Sequence, residues 1–533
     1  MSDQLYYNGD IITMEDELYT KAVLVRDGKI IGVGDKDELV KSGDSEVIFI
    51  NLEGKTLMPS FIDAHSHFSG YANSLLQVSL EESVSFDEIV EAIQGFIRKN
   101  QVKPGEWVLA RSYDHNHLKE KKHPTKELLD IAAPNNPCVI QHQSGHMGVF
   151  NTLALKGLGI TVDTPPIEGG LIATDNGELT GYLEESAFVT FIKQVPLNSM
   201  DDIFAALNKA QNNYASYGIT TVQEGFIIDQ LSDILLYLQS TNQMKVDLIG
   251  YLDITDATNL KSKFADCIKQ YKNRIKIGGY KTFLDGSAQG RTAWMLTPYL
   301  GSEKNYYGYP NYKDEQLEPL IEKAILDDMQ LLIHCNGDAA TNQYITQYKK
   351  ALEHTNAKNN LRPVIIHAQL LQKAQLDDVK QLKMIPSFFV AHVYYWGDTH
   401  IENFGKERAS EISVAHSALD KGILFTFHQD APVIEPNMLE TVWCAVNRIT
   451  KAGVSIGPNE CISPLDALKA ITINAAYQYF EEDRKGSIKK GKLADFVILD
   501  KNPLKVDHMD IRDIKVLETL KEGVSIYQRK NEE

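Results

Sequence analysis

The sequence has little cysteine, and no two cysteines are spaced as C-x-x-C. Five cysteines are scattered through 533 residues, and this odd, dispersed set argues against a disulfide framework and for a reducing compartment. No apolar run approaches the roughly 18 residues that a membrane-spanning helix needs. The N-terminus lacks the basic and apolar regions of a secretory signal. The sequence therefore predicts a cytoplasmic protein without a membrane segment.

Basic residues are also scarce relative to acidic ones. The chain has 54 lysines and arginines against 72 aspartates and glutamates, which gives a net charge of −18. Such a surface repels nucleic acid and anionic membranes, so neither is a predicted partner. The charge is compatible with a small neutral or cationic molecule as the substrate.

The chain is long enough for several domains, and its pattern changes along its length. Short apolar runs separated by Asn-Gly, Asp-Gly and Glu-Gly turns fill residues 1–58 and recur over 484–533. These two ends are predicted to build one composite β-sandwich domain. Residues 81–199 separate the first two strands of the middle region and are predicted to form an inserted subdomain or lid.

The middle of the chain alternates strands and helices. Residues 59–80 and 200–483 contain eight buried-looking strand candidates, most of them followed by helical segments, which predicts an α/β fold of the (β/α)8 TIM-barrel type. The candidates are SFIDAHSH, GITTVQEG, VDLIGYLD, IKIGGYKTFLDG, LLIHCNGD, PVIIHAQL, MIPSFFVAHVY and ILFTFHQDAPV. In this fold the chemistry takes place at the C-terminal ends of the strands.

Polar side chains concentrate at those C-terminal ends. They are His65, His67, Glu224, Lys281, Asp285, His334, His367, His392, His428 and Asp430. Side chains alternate along a strand, so His65 and His67 face the same way. Neutral imidazoles and a carboxylate are ligands for Zn²⁺, Fe²⁺ or Mn²⁺. A lone H-x-H pair would be weak evidence, but convergence from five strands predicts a metal site.

Lys281 is unusual beside a cation. Burial and nearby positive charge both lower the pKa of a lysine, which favours the neutral amine. A neutral amine can add carbon dioxide and become a carbamate, an anion able to bridge two metal ions. The sequence thus raises the hypothesis of an N6-carboxylated Lys281.

Longer motifs resemble a known family. The segments MPSFIDAHSHF and GSIKKGKLADFVILDKNPL are similar to the opening and C-terminal motifs of the amidohydrolase superfamily. YKTFLDGSAQGRTAWM and QHQSGHMGVFNTLAL resemble motifs of its amidohydrolase-3 branch, which includes N-substituted formamide deformylases. The chain departs from that branch on the eighth strand, where the usual Gly-Ser-Asp is replaced by His428-Gln429-Asp430. The resemblance runs nearly from end to end.

This resemblance implies a binuclear metal centre with zinc favoured over iron or manganese. His65 and His67 would bind the more buried ion together with Asp430. Lys281, as a carbamate, would bridge to a second ion held by His334 and His367. The implied reaction is cleavage of a non-peptide C–N bond, N-formyl amides foremost, by hydroxide that the metal ions activate. Asp430 would be the general base and then the acid, and the fold suggests a homodimer by analogy.

Other polar residues are candidates for binding the substrate. His146 in the insert could contact the substrate or form a structural hydrogen bond, and Arg291 follows the fourth strand. His392 and Trp396 follow the seventh strand, where they could line an apolar pocket or pack in the core. Glu224 could orient a histidine ligand or pair with a buried cation. The histidines of DHNH and KEKKHP, within residues 114–123, are predicted to lie in a solvated loop rather than in a further metal site.

Two alternatives stay open at this level. A deaminase of a cyclic amidine would use the same fold, although such deaminases usually bind one metal without a bridging lysine, so Lys281 argues against it. A barrel that has lost catalysis and serves as a scaffold would be expected to lack some ligands. None of the six predicted ligands is missing.

Overall fold

The structure is a computed structural model that describes residues 3–42, 47–196, 199–302 and 305–530. The chain divides into two compact units. The large unit combines Met1–Phe68 with Gln211–Glu533, and the insert unit is Ser69–Ala210. Among the described residues, no helix has both the length and the apolar character needed to cross a membrane.

The described residues form 22 strands and 18 α-helices. The strands are β1 (Asp3–Ile12), β2 (Tyr19–Arg26), β3 (Lys29–Gly34), β4 (Val47–Asn51), β5 (Thr56–Pro59), β6 (Phe61–Ile62), β7 (Val78–Ser79), β8 (Val108–Tyr113), β9 (Cys138–His142), β10 (Met147–Phe150), β11 (Gly170–Asp175), β12 (Glu178–Glu184), β13 (Ile219–Ile227), β14 (Asp247–Asp253), β15 (Ile275–Phe283), β16 (Gln330–Cys335), β17 (Val364–His367), β18 (Ile385–Phe388), β19 (Thr426–Phe427), β20 (Phe496–Leu499), β21 (Val516–Lys521) and β22 (Val524–Gln528). The helices are α1 (Lys36–Lys41), α2 (Phe68–Ser74), α3 (Phe86–Asn100), α4 (Lys126–Ala132), α5 (Thr152–Gly157), α6 (Glu185–Ile192), α7 (Met200–Ser216), α8 (Asp229–Thr241), α9 (Ala257–Lys263), α10 (Asp314–Leu326), α11 (Asp338–Thr355), α12 (Leu376–Gln381), α13 (His392–Tyr395), α14 (Gly397–Ala409), α15 (Ala415–Asp420), α16 (Met438–Asn447), α17 (Pro464–Ala470) and α18 (Ile473–Gln478).

The large unit is built around an eight-stranded parallel sheet. Its order is β19-β18-β17-β16-β15-β14-β13-β6, and all eight predicted strands are present. The strands are apolar and buried along nearly their whole length, as expected for a parallel sheet covered on both faces. Backbone bonds from Asp430 N to His65 O and from His67 N to Ala431 O connect the segments that follow the first and eighth strands. The α/β prediction is confirmed as a TIM-like fold.

A second sheet of the large unit draws strands from both ends of the chain. Its main order is β22-β21-β20-β5-β1-β2-β3, and β4 pairs with β1. The register of β5 with β20 joins Leu57 to Ile498 and Pro59 to Phe496. These strands close over a core that includes Ile11, and the two-layer sandwich stays a prediction.

A cluster of buried charges lies where strand β14 begins. Lys485 and Lys521 both donate to Asp247 Oδ2, at 2.5 and 2.7 Å, and Lys485 also pairs with Glu481 at 2.8 Å. Burial raises the pKa of Glu481, but the charges of Lys485 and Lys276 outweigh burial and lower that pKa to about 2. The cluster therefore ties the sheet of the chain ends, through Lys521, to the parallel sheet, through Asp247.

Replacing Lys485 by methionine is expected to lower the free energy of unfolding by about 3–5 kcal/mol. The change leaves the carboxylates of Asp247 and Glu481 buried with one cation fewer, and their desolvation is then uncompensated. Denaturant unfolding followed by circular dichroism measures the effect. Lys489→Met is the matched control, because Lys489 is 62% exposed in its pair with Glu15 and such pairs contribute about 1 kcal/mol or less. Equal midpoints for the two variants would contradict this account of the cluster.

The insert unit has its own sheet, ordered β11-β12-β10-β9-β8-β7. Helix α3 packs its apolar side chains into the core of this unit. Ser85 caps the helix by accepting a bond from Glu88 N, acidic residues occupy its first turn, and Gln101 ends it at a φ of +53°. The bounds of this unit, Ser69–Ala210, enclose the predicted insert of residues 81–199.

Candidate metal centre

The six predicted ligands lie in or directly after strands of the parallel sheet. His65 and His67 follow β6, Lys281 lies in β15, and His334 lies in β16. His367 is the last residue of β17, and Asp430 follows β19. His367 and Asp430 have positive φ angles of 71° and 53°, a conformation that bulky side chains rarely adopt and that concentrates at functional sites.

The structure brings these side chains together around the carboxylate of Asp430. Its Oδ1 atom is 3.5 Å from His65 Nε2 and 3.6 Å from His67 Nε2, and its Oδ2 atom is 3.8 Å from His367 Nε2. Lys281 Nζ lies 3.4 Å from His65 Nε2. The ring of His334 is 4.6 Å from that of His367, centroid to centroid. His65, His67 and Asp430 meet the geometric requirements of a metal-binding group.

Two of the histidines are held through their Nδ1 atoms by polar neighbours. The Nδ1 atom of His65 is 2.5 Å from Gln223 Oε1, and that of His334 is 3.2 Å from Asp285 Oδ1. When Nδ1 donates to an oxygen, the ring is neutral and the lone pair lies on Nε2. For His65 that lone pair faces Asp430.

His367 is held in a similar way by another histidine. Its Nδ1 atom is 3.0 Å from His428 Nε2, and His428 Nδ1 is 2.9 Å from the hydroxyl of Ser387. This chain of three side chains leaves Nε2 of His367 turned toward Asp430 Oδ2. Outer partners of this kind orient metal ligands and raise their basicity.

Burial sets the protonation states at this site. It lowers the pKa of His65 well below its usual value and that of His67 to about 3, so both rings are neutral near pH 7. Burial also lowers the pKa of Lys281 to about 7, although the charge of Asp430 opposes this shift. Burial raises the pKa of Asp430 to about 7 against the opposing charge of Lys281. The site thus holds neutral imidazoles and an amine that is readily deprotonated.

This donor set fits a divalent ion. Asp430 Oδ1 is buried and has no hydrogen-bond partner among the described residues, although two imidazole nitrogens face it at 3.5 and 3.6 Å. Donors around a tetrahedral ion with bonds of 2.0–2.1 Å are separated by about 3.3 Å. The observed separations are close to that value, so His65, His67 and Asp430 can share one ion.

Three of the predicted substrate contacts lie in the large unit. His392 is buried in helix α13, where its ring centroid lies 4.4 Å from that of Trp396 and 4.6 Å from that of Phe389. Phe389 in turn faces His367 at 6.0 Å, which places the aromatic group beside the metal ligands. Arg291 donates from Nε to Asn403 Oδ1 at 2.7 Å.

The fourth predicted contact, His146, lies in the insert unit. Its side chain is exposed, and its Nδ1 atom is 3.1 Å from Glu185 Oε2. This pair corresponds to the structural hydrogen bond that was the alternative to a substrate contact for His146. A contact of His146 with substrate stays a prediction.

The sequence missed the residues that orient the ligands. Glu224 was predicted either to orient a histidine ligand or to pair with a buried cation, and its Oε1 atom lies 3.9 Å from His67 Nδ1. The preceding residue, Gln223, makes the short bond to His65 instead. Asp285 and His428 stood among the polar residues at strand ends but received no role. Asp285 follows the strand next to that of His334, whereas His428 follows a strand two positions away from that of His367.

Comparison with known proteins finds a family model that matches most of the chain. A model described as the amidohydrolase family matches residues 49–527. The N-substituted formamide deformylase of Arthrobacter pascens is 27% identical over 546 residues, which cover 99% of each chain. Protein LONG AFTER FAR-RED 3 of Arabidopsis thaliana is 30% identical over 544 residues, which cover 99% of this chain and 92% of that one.

A solved structure shares the fold. The uncharacterized metal-dependent hydrolase of Pyrococcus horikoshii OT3 superposes with a TM-score of 0.75 at 24% sequence identity. The match covers 95% of this chain and 99% of that one. The likeness therefore extends over both units of the chain and shows a common fold.

Proposed function

Because the chain belongs to the amidohydrolase family, in its amidohydrolase-3 branch, and is an amidohydrolase enzyme, we propose that it hydrolyses a non-peptide C–N bond with divalent metal ions. Leading substrates are small N-formyl amides, which would yield formate and an amine. The observation that carries the proposal is that His65 and His67 converge on Oδ1 of Asp430. This carboxylate oxygen is buried and has no hydrogen-bond partner among the described residues.

We propose that the metal ligands are the six residues named from the strand ends. They are His65, His67, Lys281, His334, His367 and Asp430. Divalent ions bound there, zinc by preference, would polarise the substrate carbonyl and make the attacking water more acidic. The neutral state of the buried histidines supports this assignment, since only neutral imidazole offers a lone pair to a metal.

Lys281 is proposed to act as a carbamate. Its amine nitrogen attacks the carbon of carbon dioxide, an N–C bond forms, and one proton leaves to solvent. The product is an anion, which would replace an ammonium group that burial disfavours. This step supports a site with two ions, because it adds a second negative charge to that of Asp430.

Asp430 is proposed to move the proton of the reaction. Its carboxylate takes a proton from the attacking water and then donates it to the nitrogen of the leaving amine. Burial raises the pKa of this carboxyl against the opposing charge of Lys281. Asp430 Oδ1 lies 3.5 and 3.6 Å from Nε2 of His65 and His67, which supports a carboxylate that both binds an ion and transfers this proton.

The substrate class rests on two supports. The relative from Arthrobacter pascens is named for an action on N-substituted formamides and matches along the whole chain. Phe389, His392 and Trp396 form an aromatic wall next to His367, which suits the apolar substituent of such an amide. Glu224 and Arg291 are proposed to position ligand and substrate at the same strand ends.

A substrate screen tests the proposal. Metal-free protein is loaded with Zn²⁺, Mn²⁺ or Fe²⁺ and offered N-substituted formamides, longer N-acyl amides and cyclic amidines. Stoichiometric release of formate and amine is expected, with loss of activity after chelation. Release of ammonia from a cyclic amidine would favour the deaminase alternative, and metal-loaded protein inert toward every class would contradict the proposed reaction.

A further inference from the structure

Histidines are concentrated in one short part of the insert unit. Five of the fifteen histidines lie between residues 115 and 146. The sequence predicted a solvated loop for the first three of them, but His115 and His123 stack at a centroid distance of 4.0 Å. His142 is buried, and its ring lies 5.2 Å from that of His115. His115 and His123 thus pack together beside His142, whereas His117 is exposed, as a solvated loop predicts.

The sheet of the insert unit explains why these side chains meet. Strands β8 and β9 are parallel neighbours, and Tyr113 at the end of β8 pairs with His142 at the end of β9. Asp114 and His115 continue directly from β8, so they leave the sheet at the same edge as His142. The bond from Gln143 N to Tyr113 O, at 2.9 Å, keeps the two strand ends in register.

Three potential ligand atoms face one another at this edge. His115 Nδ1 lies 3.2 Å from His142 Nε2, and Asp114 Oδ1 lies 3.5 Å from His142 Nε2 and 3.8 Å from His115 Nδ1. Two ring nitrogens and a carboxylate oxygen thus form a triangle with edges near the ~3.3 Å expected around tetrahedral zinc. The triangle resembles the group of His65, His67 and Asp430 in both chemistry and size.

The carboxylate and one ring of this triangle are held by other groups. Asp114 Oδ1 accepts from Asn116 N at 2.8 Å, and Asp114 Oδ2 accepts from Gln143 Nε2 at 2.5 Å. His142 Nδ1 lies 3.0 Å from Ser144 Oγ and accepts a bond from Ser144 N at 3.1 Å, so Ser144 fixes the orientation of the ring, with Nε2 toward Asp114. Such outer partners are what a preformed metal site requires.

We propose that the insert unit binds a divalent transition-metal ion, zinc by preference, through Asp114, His115 and His142. Two imidazoles and one carboxylate suit Zn²⁺ and also Co²⁺ or Ni²⁺, whereas Mg²⁺ and Ca²⁺ prefer oxygen ligands. The fourth tetrahedral position is left for water or an external ligand. The ion fixes the loop that follows β8 to the end of β9.

Metal counting on the full-length protein tests this site. Chelator-stripped protein is saturated with Zn²⁺, gel-filtered and analysed by inductively coupled plasma mass spectrometry. The double variant His115→Gln/His142→Gln is expected to hold one equivalent fewer than the wild type. After loading with Co²⁺, the visible absorption of the variant is expected to be weaker than that of the wild type by the contribution of one bound ion.

Two further variants keep the test decisive. Asp114→Asn preserves the size of the side chain but removes its charge, so it is expected to weaken the affinity of one equivalent at least tenfold. His416→Gln is the control, since His416 is an exposed histidine paired with Asp420 outside the insert unit. Circular dichroism selects the variants that fold. Equal zinc content and equal cobalt spectra in the wild type, the control and every folded variant at residues 114, 115 or 142 would overturn the proposal.

The result is separable from the proposed amide hydrolysis. If the insert variants lose one equivalent of metal and retain the rest, the result supports the site in the insert unit, whatever substrate the enzyme takes. Failure of the substrate screen would leave this count unchanged.

Discussion

Replacing Asp430 by asparagine is expected to lower kcat by about 10²- to 10⁴-fold while divalent metal remains bound. Asparagine keeps the shape of the side chain and one oxygen donor, so ligation beside His65 and His67 can persist. An amide cannot take a proton from water or return it to a leaving amine. The substitution removes a titratable carboxyl whose pKa burial raises.

Steady-state kinetics and metal analysis on the same preparation measure this effect. Asp420→Asn serves as the control, because Asp420 is exposed and its observed partner is His416 on the same helix. The control is expected to retain the kcat and metal content of the wild type. Unchanged turnover in Asp430→Asn with metal bound would remove the proton-transfer role from this residue.

Replacing Lys281 by methionine is expected to release at least one metal equivalent and to lower kcat by about 10³-fold or more. Methionine is unbranched and similar in length, so it fills the space of a side chain that is completely buried. It cannot form a carbamate, so Asp430 is then the one proposed anionic ligand beside the imidazoles. The folded state should persist, since the change also removes an amine whose charge burial disfavours.

The effect of bicarbonate on zinc binding distinguishes a carbamate at Lys281 from an unmodified amine. Wild-type protein stripped of metal and carbon dioxide is expected to bind more Zn²⁺ when bicarbonate is added, whereas Lys281→Met should not respond. Lys489→Met, at an exposed lysine, controls for the substitution itself. Full metal content in Lys281→Met would contradict the ligand role of Lys281.

Strand patterns revealed most of the large unit because buried parallel strands leave a strong signal. Each of the eight runs is apolar and each ends in polar residues, so the sequence alone assigns His65, His367 and Asp430 to one edge of a sheet. Periodicity then placed His65 and His67 on the same side. The grouping succeeded because parallel strands bring their C-terminal ends together by geometry alone.

The residues that orient the ligands were less accessible to sequence reasoning. Gln223 and Glu224 are neighbours on β13, and which of them would face His65 depends on how the strands are staggered in the sheet. His428 stands where the related motif has glycine, so its bond to His367 had no precedent in the pattern. Whether Gln223 or Glu224 faces His65 is set by tertiary structure, and the local sequence does not encode it.

The insert unit shows the opposite difficulty. His115 and His142 are 27 residues apart in the chain, and the pairing of β8 with β9 brings them within 3.2 Å. Short strands in a mixed sheet give weak periodicity, so the sequence alone favoured an exposed loop. His146, which the motif singled out, instead pairs with Glu185 at an exposed position.

An anomalous difference map from crystals of the zinc-loaded wild-type protein tests the metal centre most directly. Two peaks are expected at about 2.0–2.3 Å from ligand atoms of the six residues at the strand ends, with continuous density beyond Nζ of Lys281. A fully loaded crystal without a peak between His65, His67 and Asp430 would contradict this expectation.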